Sequence, residues 1–147
     1  MVERGTGLLA KLGVPYELRV ISAHRAPDLL ATYLEDATRR GASVFICAAG
    51  LAAHLPGVLA SLTARPVIGI PLDGGSLAGA DALYAVVQMP PGVPVATVAI
   101  GSPGAKNAAH LAARILAISD PAIAERVASA RAGQAAGAEL RVDPRTG

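Results

Sequence analysis

The chain has 147 residues, a length that suits one domain and is too short for two ordinary ones. Hydrophobic residues make up 52% and charged residues 16% of the sequence, which excludes intrinsic disorder for most of the chain. The net charge of +2, the aromatic content of 3% and the absence of Trp argue against a nucleic-acid partner. A small phosphorylated ligand stays open, because most of the positive charges are Arg.

Membrane insertion and secretion find no support in the sequence. The longest apolar run, 45–53, is too short to span a bilayer and is broken by His54 and Pro56. The N-terminal residues show no basic region followed by an apolar region, so they do not predict a signal peptide. The one cysteine, Cys47, lies inside the apolar run and predicts a buried, inert thiol in a cytosolic protein.

Short apolar runs alternate with helical patterns along the chain, which is typical of βαβ units and a parallel sheet. In chain order the pattern predicts a helix at 1–12, a strand at 16–21, a helix at 27–40, a strand at 43–48, a helix at 54–64, a strand at 67–70, a helix at 77–87, a strand at 95–100, and helices at 104–118 and 121–132. One α/β domain is therefore predicted for residues 1–132, followed by a C-terminal tail at 133–147.

Ligands of open α/β sheets sit at the carboxyl ends of the strands, so the loops there are the first candidates for a site. After strand 16–21 come Ser22, His24 and Arg25, just ahead of a helix N-terminus. A hydroxyl and a guanidinium there can clamp a phosphate, with a titratable imidazole beside them. The alternative is a Ser22 that caps the helix, a solvated Arg25 and a surface His24.

The next two loops are less specific. Small residues around Gly50 and Ala53 allow close backbone approach to a ligand, and His54 stands at a helix start, where a structural or capping role is the alternative to catalysis. Asp73 fits a ligand contact or an Asp-Gly turn. The proline-rich segment around Met89 predicts a rigid apolar wall or a subunit contact.

Two classes of site are disfavoured by the residue pattern. The three histidines have no Cys or carboxylate neighbours at metal-ligand spacing. A serine nucleophile is disfavoured as well, since no Gly-x-Ser-x-Gly motif occurs, and Cys47 falls in the middle of a predicted strand.

Three motifs in a fixed order resemble the bacterial PurE family. They are Ser-Ala-His-Arg-x-Pro at 22–27, Ala-Gly-x-Ala-Ala-His-Leu-Pro-Gly at 49–57 and Val-Gln-Met-Pro-x-Gly-x-Pro-Val at 87–95, the last leading into Ala99-Ile100-Gly101. The likeness extends from about residue 8 to residue 131. It implies a three-layer α/β/α flavodoxin-like subunit, a cytoplasmic homo-octamer and no metal or organic cofactor.

The resemblance also implies a reaction: N5-carboxyaminoimidazole ribonucleotide is converted to 4-carboxyaminoimidazole ribonucleotide in purine biosynthesis. In this family CO2 is released and recaptured while a histidine moves the proton, and His24 matches that catalytic histidine. A neutral imidazole can take and return a proton near neutral pH. The substrate-binding residues implied by the match are Ser22, Ala23, Arg25, Gly50, Ala53, His54 and Leu55.

The sequence differs from the family pattern at its N-terminal end. Family members begin with a strand that ends in Gly-Ser-x-Ser-Asp, which this sequence lacks. We expect unpaired strand edges in the sheet as a result. Either Met1 is an internal codon of a longer protein, which we favour, or the chain is a truncated and catalytically incomplete binding or assembly homologue. Direct carboxylation of aminoimidazole ribonucleotide is the alternative reaction, although the His54 loop favours the mutase.

Overall fold

The computed structural model describes residues 2–137, in which three parallel strands are combined with six helices. In chain order they are α1 (Glu3–Lys11), α2 (Pro27–Arg39), β1 (Phe45–Gly50), α3 (Leu55–Leu62), β2 (Val67–Leu72), α4 (Ala80–Val87), β3 (Ala96–Thr97), α5 (Gly101–Leu116) and α6 (Pro121–Ala136). The predicted α/β architecture with a parallel sheet is confirmed.

The sheet has the order β1-β2-β3, so β2 is its central strand. Phe45 pairs with Val67, and Ile68 pairs with both Ile46 and Ala96. The first five residues of β2 are buried, which is why this strand is apolar at successive positions rather than at alternate ones. Its burial fixes the register of the sheet and the place where the adjoining loops emerge.

Helices cover the sheet on both faces. On one face α1, α5 and α6 enclose a core that includes Leu9, Ile70, Ala109 and Ile123. On the other face α2 and α3 pack against Phe45 and Cys47 through a second core that includes Leu30 and Leu59. The predicted three-layer α/β/α arrangement is thus confirmed.

The predicted strand at 16–21 is wrong. Residues 14–22 form neither a turn nor a strand, and no backbone hydrogen bond joins 15–21 to another described residue. A strand forms only when a neighbouring strand shares backbone hydrogen bonds with it. β1 shares such bonds with β2 but not with this segment. We refer to residues 14–22 as the unpaired segment.

The unpaired segment is attached to the rest of the protein by ion pairs and not by the backbone hydrogen bonds of a sheet. Arg40 donates to Glu17 at 2.8 Å and to Asp36 at 2.7 Å, and Arg19 donates to the other Glu17 oxygen at 2.7 Å. The hydrogen bonds from Arg19 and Arg40 lower the pKa of Glu17, and that from Arg40 lowers the pKa of Asp36. These contacts connect the amino end of the segment to the last turn of α2.

Several element boundaries also differ from the predicted ones. The strand at 95–100 shortens to Ala96–Thr97, with one further hydrogen bond from the Val98 N–H to the Gly69 carbonyl. The helix at 121–132 continues through Ala136, so residues 133–136 of the predicted tail are helical, whereas 138–147 lie outside the described residues. In the described chain, no helix has the length and apolar character needed to cross a membrane.

Candidate active site at the carboxyl ends of the strands

Two histidines that lie thirty residues apart in the sequence meet at the carboxyl edge of the sheet. The Nε2 atom of His24 lies 2.6 Å from Nδ1 of His54, and the two rings stand edge to face with centroids 4.7 Å apart. Both side chains are exposed. Because one ring nitrogen must donate and the other accept, the contact couples the tautomers of the two rings and can relay a proton between them.

The loop that carries His24 is held by its own serine. Ser22 Oγ accepts a hydrogen bond from the Arg25 backbone N–H at 3.3 Å, and the Ser22 carbonyl accepts from Ala26 N–H at 3.0 Å. The N-cap of α2 is Ala26, so the alternative that Ser22 caps the helix is wrong. The Arg25 side chain is exposed and forms no ion pair with any described residue. Its guanidinium is thus available to an anion.

The loop after β1, which leads to His54, contains strained backbone. Leu51 and Ala53 have φ values of +56° and +43°, in the left-handed region that side chains with a Cβ disfavour. The Ala53 N–H bonds the Gly50 carbonyl at 3.0 Å, and Ala53 is only 4% exposed. Such strain costs about 1–3 kcal/mol per residue and persists where surrounding packing enforces it, often at functional sites.

His54 occupies the N-cap position of α3, yet its side chain makes no capping hydrogen bond. Its Nδ1 faces His24 instead. The capping role considered for His54 is therefore wrong, and the ring is free for the contact with the other loop. Leu55, the first residue of α3, is half-buried beside the core formed with Phe45 and Leu59.

Helix N-termini give this edge a positive potential. Helices α2, α3, α4 and α5 all follow the carboxyl edge of the sheet, and none has a side-chain cap. By contrast, α6 begins at the opposite edge of the sheet, where α5 ends. Its N-terminus is capped by Asp120, which accepts hydrogen bonds from the N–H groups of Ala122 and Ile123. Uncapped N–H groups with the helix dipole behind them favour an anionic ligand.

Two further candidates from the sequence are Asp73 and Cys47. Asp73 is exposed in the loop after β2, where the Gly74 N–H donates to the Leu72 carbonyl at 3.0 Å and so closes a tight bend around Asp73. Cys47 is buried as predicted, and burial raises the pKa of its thiol to about 12. Among residues 2–137, no group of three His, Cys, Asp or Glu side chains is placed to hold a metal ion.

One feature of the site has no sequence signal. The left-handed backbone at Leu51 and Ala53 is of the kind that Gly or Asn normally supplies, and neither residue type stands there. The small residues around them predicted close approach to a ligand, but not strain. The strain at Leu51 and Ala53 is evident only from the backbone φ values in the structure.

A parallel sheet between two helical layers, with a loop-borne site at the carboxyl ends of its strands, defines a flavodoxin-like α/β protein. The model of the AIR carboxylase family matches residues 1–136, and the chain belongs to this family. The resemblance to the PurE family is therefore confirmed.

Individual relatives agree with this membership. The chain is 51% identical to the N5-carboxyaminoimidazole ribonucleotide mutase of Pseudomonas aeruginosa over 138 residues, which is 94% of this chain and 85% of that protein. It is 47% identical to the mutase of Haemophilus influenzae over 145 residues, 99% of this chain and 88% of that protein. The crystal structure of Treponema denticola PurE superposes with a TM-score of 0.81 at 30% identity, covering 92% of this chain and 83% of that one.

Proposed function

We propose that this chain is a mutase that converts N5-carboxyaminoimidazole ribonucleotide to 4-carboxyaminoimidazole ribonucleotide in purine biosynthesis. The observation that carries the proposal is the 2.6 Å contact between His24 and His54, with the exposed Arg25 next to His24 in the same loop. Relatives that bear the mutase name share about half of the residues over most of the chain. The activity is that of an isomerase.

In the proposed mechanism His24 is the catalytic acid and base. The bond between the carboxylate carbon and the exocyclic nitrogen breaks to release CO2, and C4 of the imidazole attacks that CO2 to form the new carbon–carbon bond. His24 takes the C4 proton, while the exocyclic nitrogen gains one proton, so that substrate and product have the same composition. Contact with His54 supports the role, because it orients the His24 ring and couples its tautomer to that of His54.

The 5′-phosphate is assigned to the loop of Ser22, Ala23 and Arg25. The exposed guanidinium of Arg25 can bind a phosphate with two parallel hydrogen bonds. The uncapped N-terminus of α2 directly follows and adds backbone N–H donors. The Ser22 hydroxyl already accepts from the Arg25 backbone, so its own hydrogen is left to donate to a phosphate oxygen.

The imidazole and the transient CO2 are assigned to the loop of Gly50, Ala53, His54 and Leu55. Ala53 is buried and Leu55 is half-buried, so this part of the loop presents apolar carbon and backbone rather than charge. A lining of this kind excludes water and so protects CO2 from hydration. The strained backbone at Leu51 and Ala53 keeps the loop in one conformation before substrate arrives.

The test supplies the purified protein with N5-carboxyaminoimidazole ribonucleotide in one assay, and with aminoimidazole ribonucleotide plus bicarbonate in a second. We expect 4-carboxyaminoimidazole ribonucleotide to form rapidly in the first. Product in the second assay alone would overturn the mutase and identify a direct carboxylase. Turnover in neither assay, by a folded protein that still binds nucleotide, would instead support a non-catalytic binding or assembly role.

We also propose that the protein acts as a homo-octamer in the cytoplasm. Support for the assembly comes from α4, where Tyr84 and Val87 are 66% and 51% exposed beside the proline-rich segment that follows. Large apolar side chains at such exposure favour a protein partner. Light scattering coupled to size exclusion measures the oligomer directly, and a monomer at micromolar concentration would contradict the proposal.

A further inference from the structure

Two residues with left-handed backbone precede His54 in the loop after β1. Leu51 and Ala53 have φ values of +56° and +43°, and the ring of His54 meets that of His24 at 2.6 Å. Residues with a Cβ are strained at such angles, so each stays there only while other parts of the protein hold it. Release of either residue would shift His54, which directly follows them. The contact with His24 therefore depends on what holds Leu51 and Ala53.

Ala53 is held by burial against α4. Its side chain is 4% exposed and shares a small core with Ala82 and Val86 of that helix, both of which are fully buried. Its N–H also donates to the Gly50 carbonyl at 3.0 Å. A close-packed core resists the movement of any single residue within it. Packing thus accounts for the position of Ala53.

Leu51 is held in another way, because its side chain is 59% exposed. The side chain lies against Gly75, in the loop after β2: a Cβ placed on Gly75 would be 2.8 Å from Leu51 Cδ2. Carbon atoms in contact are normally about 3.5–4.0 Å apart. Gly75 also has a φ of +81°, which glycine adopts without strain. The Leu51 side chain therefore uses space that is open because residue 75 has no Cβ.

We propose that Leu51 and Gly75 are a pair of positioning residues for His54. Gly75 holds the Leu51 side chain, and through it the strained backbone that directs His54 toward His24. Both residues act through His54 and not on the reacting atoms. Where the inference concerns catalysis, it rests on the proposed mutase function. Where it concerns the distance between the two histidine rings, it rests on the structure alone.

Substitutions at position 51 separate the contact from the strain. Leu51→Ala removes the contact and keeps the strain, because alanine also has a Cβ, whereas Leu51→Gly removes both. A loop without strain does not need the contact. We expect kcat to fall about 10- to 100-fold in Leu51→Ala, since small displacements near a site have effects of this size, and to be about tenfold higher in Leu51→Gly than in Leu51→Ala. Nucleotide affinity should change little, because the phosphate is assigned to the separate loop of Ser22 and Arg25.

Substitutions at position 75 test the same contact from its other side. Gly75→Ala places a methyl group where the end of the Leu51 side chain lies, and that end can move aside, so the protein should fold with Leu51 displaced. We expect kcat to fall at least about tenfold and to recover when Leu51→Gly is added. A left-handed alanine at position 75 stays strained in the double variant, so relief of that strain cannot explain recovery. Gly74→Ala serves as the control, since no atom of the described chain lies within 4 Å of its added methyl group.

Crystal structures of the variants without substrate measure the effect on the site itself. In Leu51→Ala and Gly75→Ala we expect Nε2 of His24 and Nδ1 of His54 to separate beyond hydrogen-bonding distance, about 3.5 Å. In the two variants that contain Leu51→Gly, we expect the contact to be kept. This measurement needs no turnover. If the wild type is inactive in both assays, the mutase proposal fails, and these distances alone decide the role of Leu51 and Gly75.

Three results would overturn the positioning role. The first is an equal kcat and an equal histidine distance in Leu51→Ala and Leu51→Gly, which would mean that the contact does not oppose strain at position 51. The second is a double variant with no more activity than Gly75→Ala. The third is a loss of kcat that follows the melting temperature across the variants while the histidine contact stays intact, which would assign Leu51 and Gly75 to the stability of the fold.

Discussion

His24 and His54 share a short contact, 2.6 Å between Nε2 and Nδ1, although each stands on its own loop after a different segment of the chain. Neither ring is buried, so packing does not enforce the contact. It depends on the two loops being held, one by the Ser22 hydrogen bond and the other by the backbone at Ala53.

His24→Asn should abolish turnover and leave nucleotide binding within a few-fold. Loss of a general acid and base costs about 10²- to 10⁴-fold in kcat, while the asparagine side chain keeps a polar group of similar size in the loop. Steady-state kinetics and calorimetric titration with the nucleotide measure the two quantities. Turnover at the wild-type rate would remove His24 from the proposed mechanism.

Arg25→Met should weaken nucleotide binding by about 10- to 100-fold, because a charge-assisted hydrogen bond to phosphate is worth about 1.5–3 kcal/mol. The matched control is Arg65→Met, an exposed arginine that precedes β2 at the opposite edge of the sheet. Titration with the nucleotide at fixed salt compares them. Equal losses of nucleotide affinity in the two variants would indicate a general effect of positive charge and not a specific contact between Arg25 and the phosphate.

The Cys47 thiol should resist alkylation in the native protein at pH 8. The side chain is 4% exposed, and burial raises its pKa to about 12, so thiolate is scarce and access is blocked. We expect iodoacetamide to react at least about 100-fold faster after unfolding in guanidinium. Comparable rates in the two states would mean that β1 opens readily.

Two helical glycines should respond in opposite ways to alanine. Gly104→Ala should destabilise the protein by about 1–3 kcal/mol or more, since the new methyl group would overlap the Ala99 carbonyl oxygen under α5. Gly7→Ala should stabilise it by about 0.5–1 kcal/mol, because no atom lies within 4 Å of the added methyl group and alanine favours the helix. Urea unfolding measures both. The same sign in both variants would contradict the close packing at Gly104.

Acid should weaken the attachment of the unpaired segment. The pKa values of Glu17 and Asp36 are lowered in the folded protein by hydrogen bonds from their arginine partners. Groups with lowered folded pKa values stabilise the fold above their unfolded values, about 4, and lose this contribution as the pH falls through the folded ones. We expect Arg40→Met to lower the melting temperature at pH 6, and the difference from the wild type to shrink steadily as the pH falls below about 4. A difference that is independent of pH would exclude the ion pairs as its origin.

Much of the site could be predicted because it is local. Ser22, His24 and Arg25 lie within four positions, and their place before a helix was evident from Pro27. The contact between His24 and His54 could not be predicted from the residues alone, because it depends on the relative positions of two loops. The prediction of a strand at 16–21 was wrong because composition reports β propensity, whereas a strand also needs a neighbour. The expectation of unpaired strand edges in the sheet agrees with the open edge of β1 in the described chain.

The unpaired segment also bears on how the protein behaves in concentrated solution. Tyr16, Leu18 and Val20 are 51%, 56% and 98% exposed, next to backbone groups that no described residue pairs. Apolar side chains beside an open strand edge promote intermolecular β pairing and aggregation. Recovery of the protein from expression and refolding would then decline as its concentration rises, even though the core around β2 is fully buried.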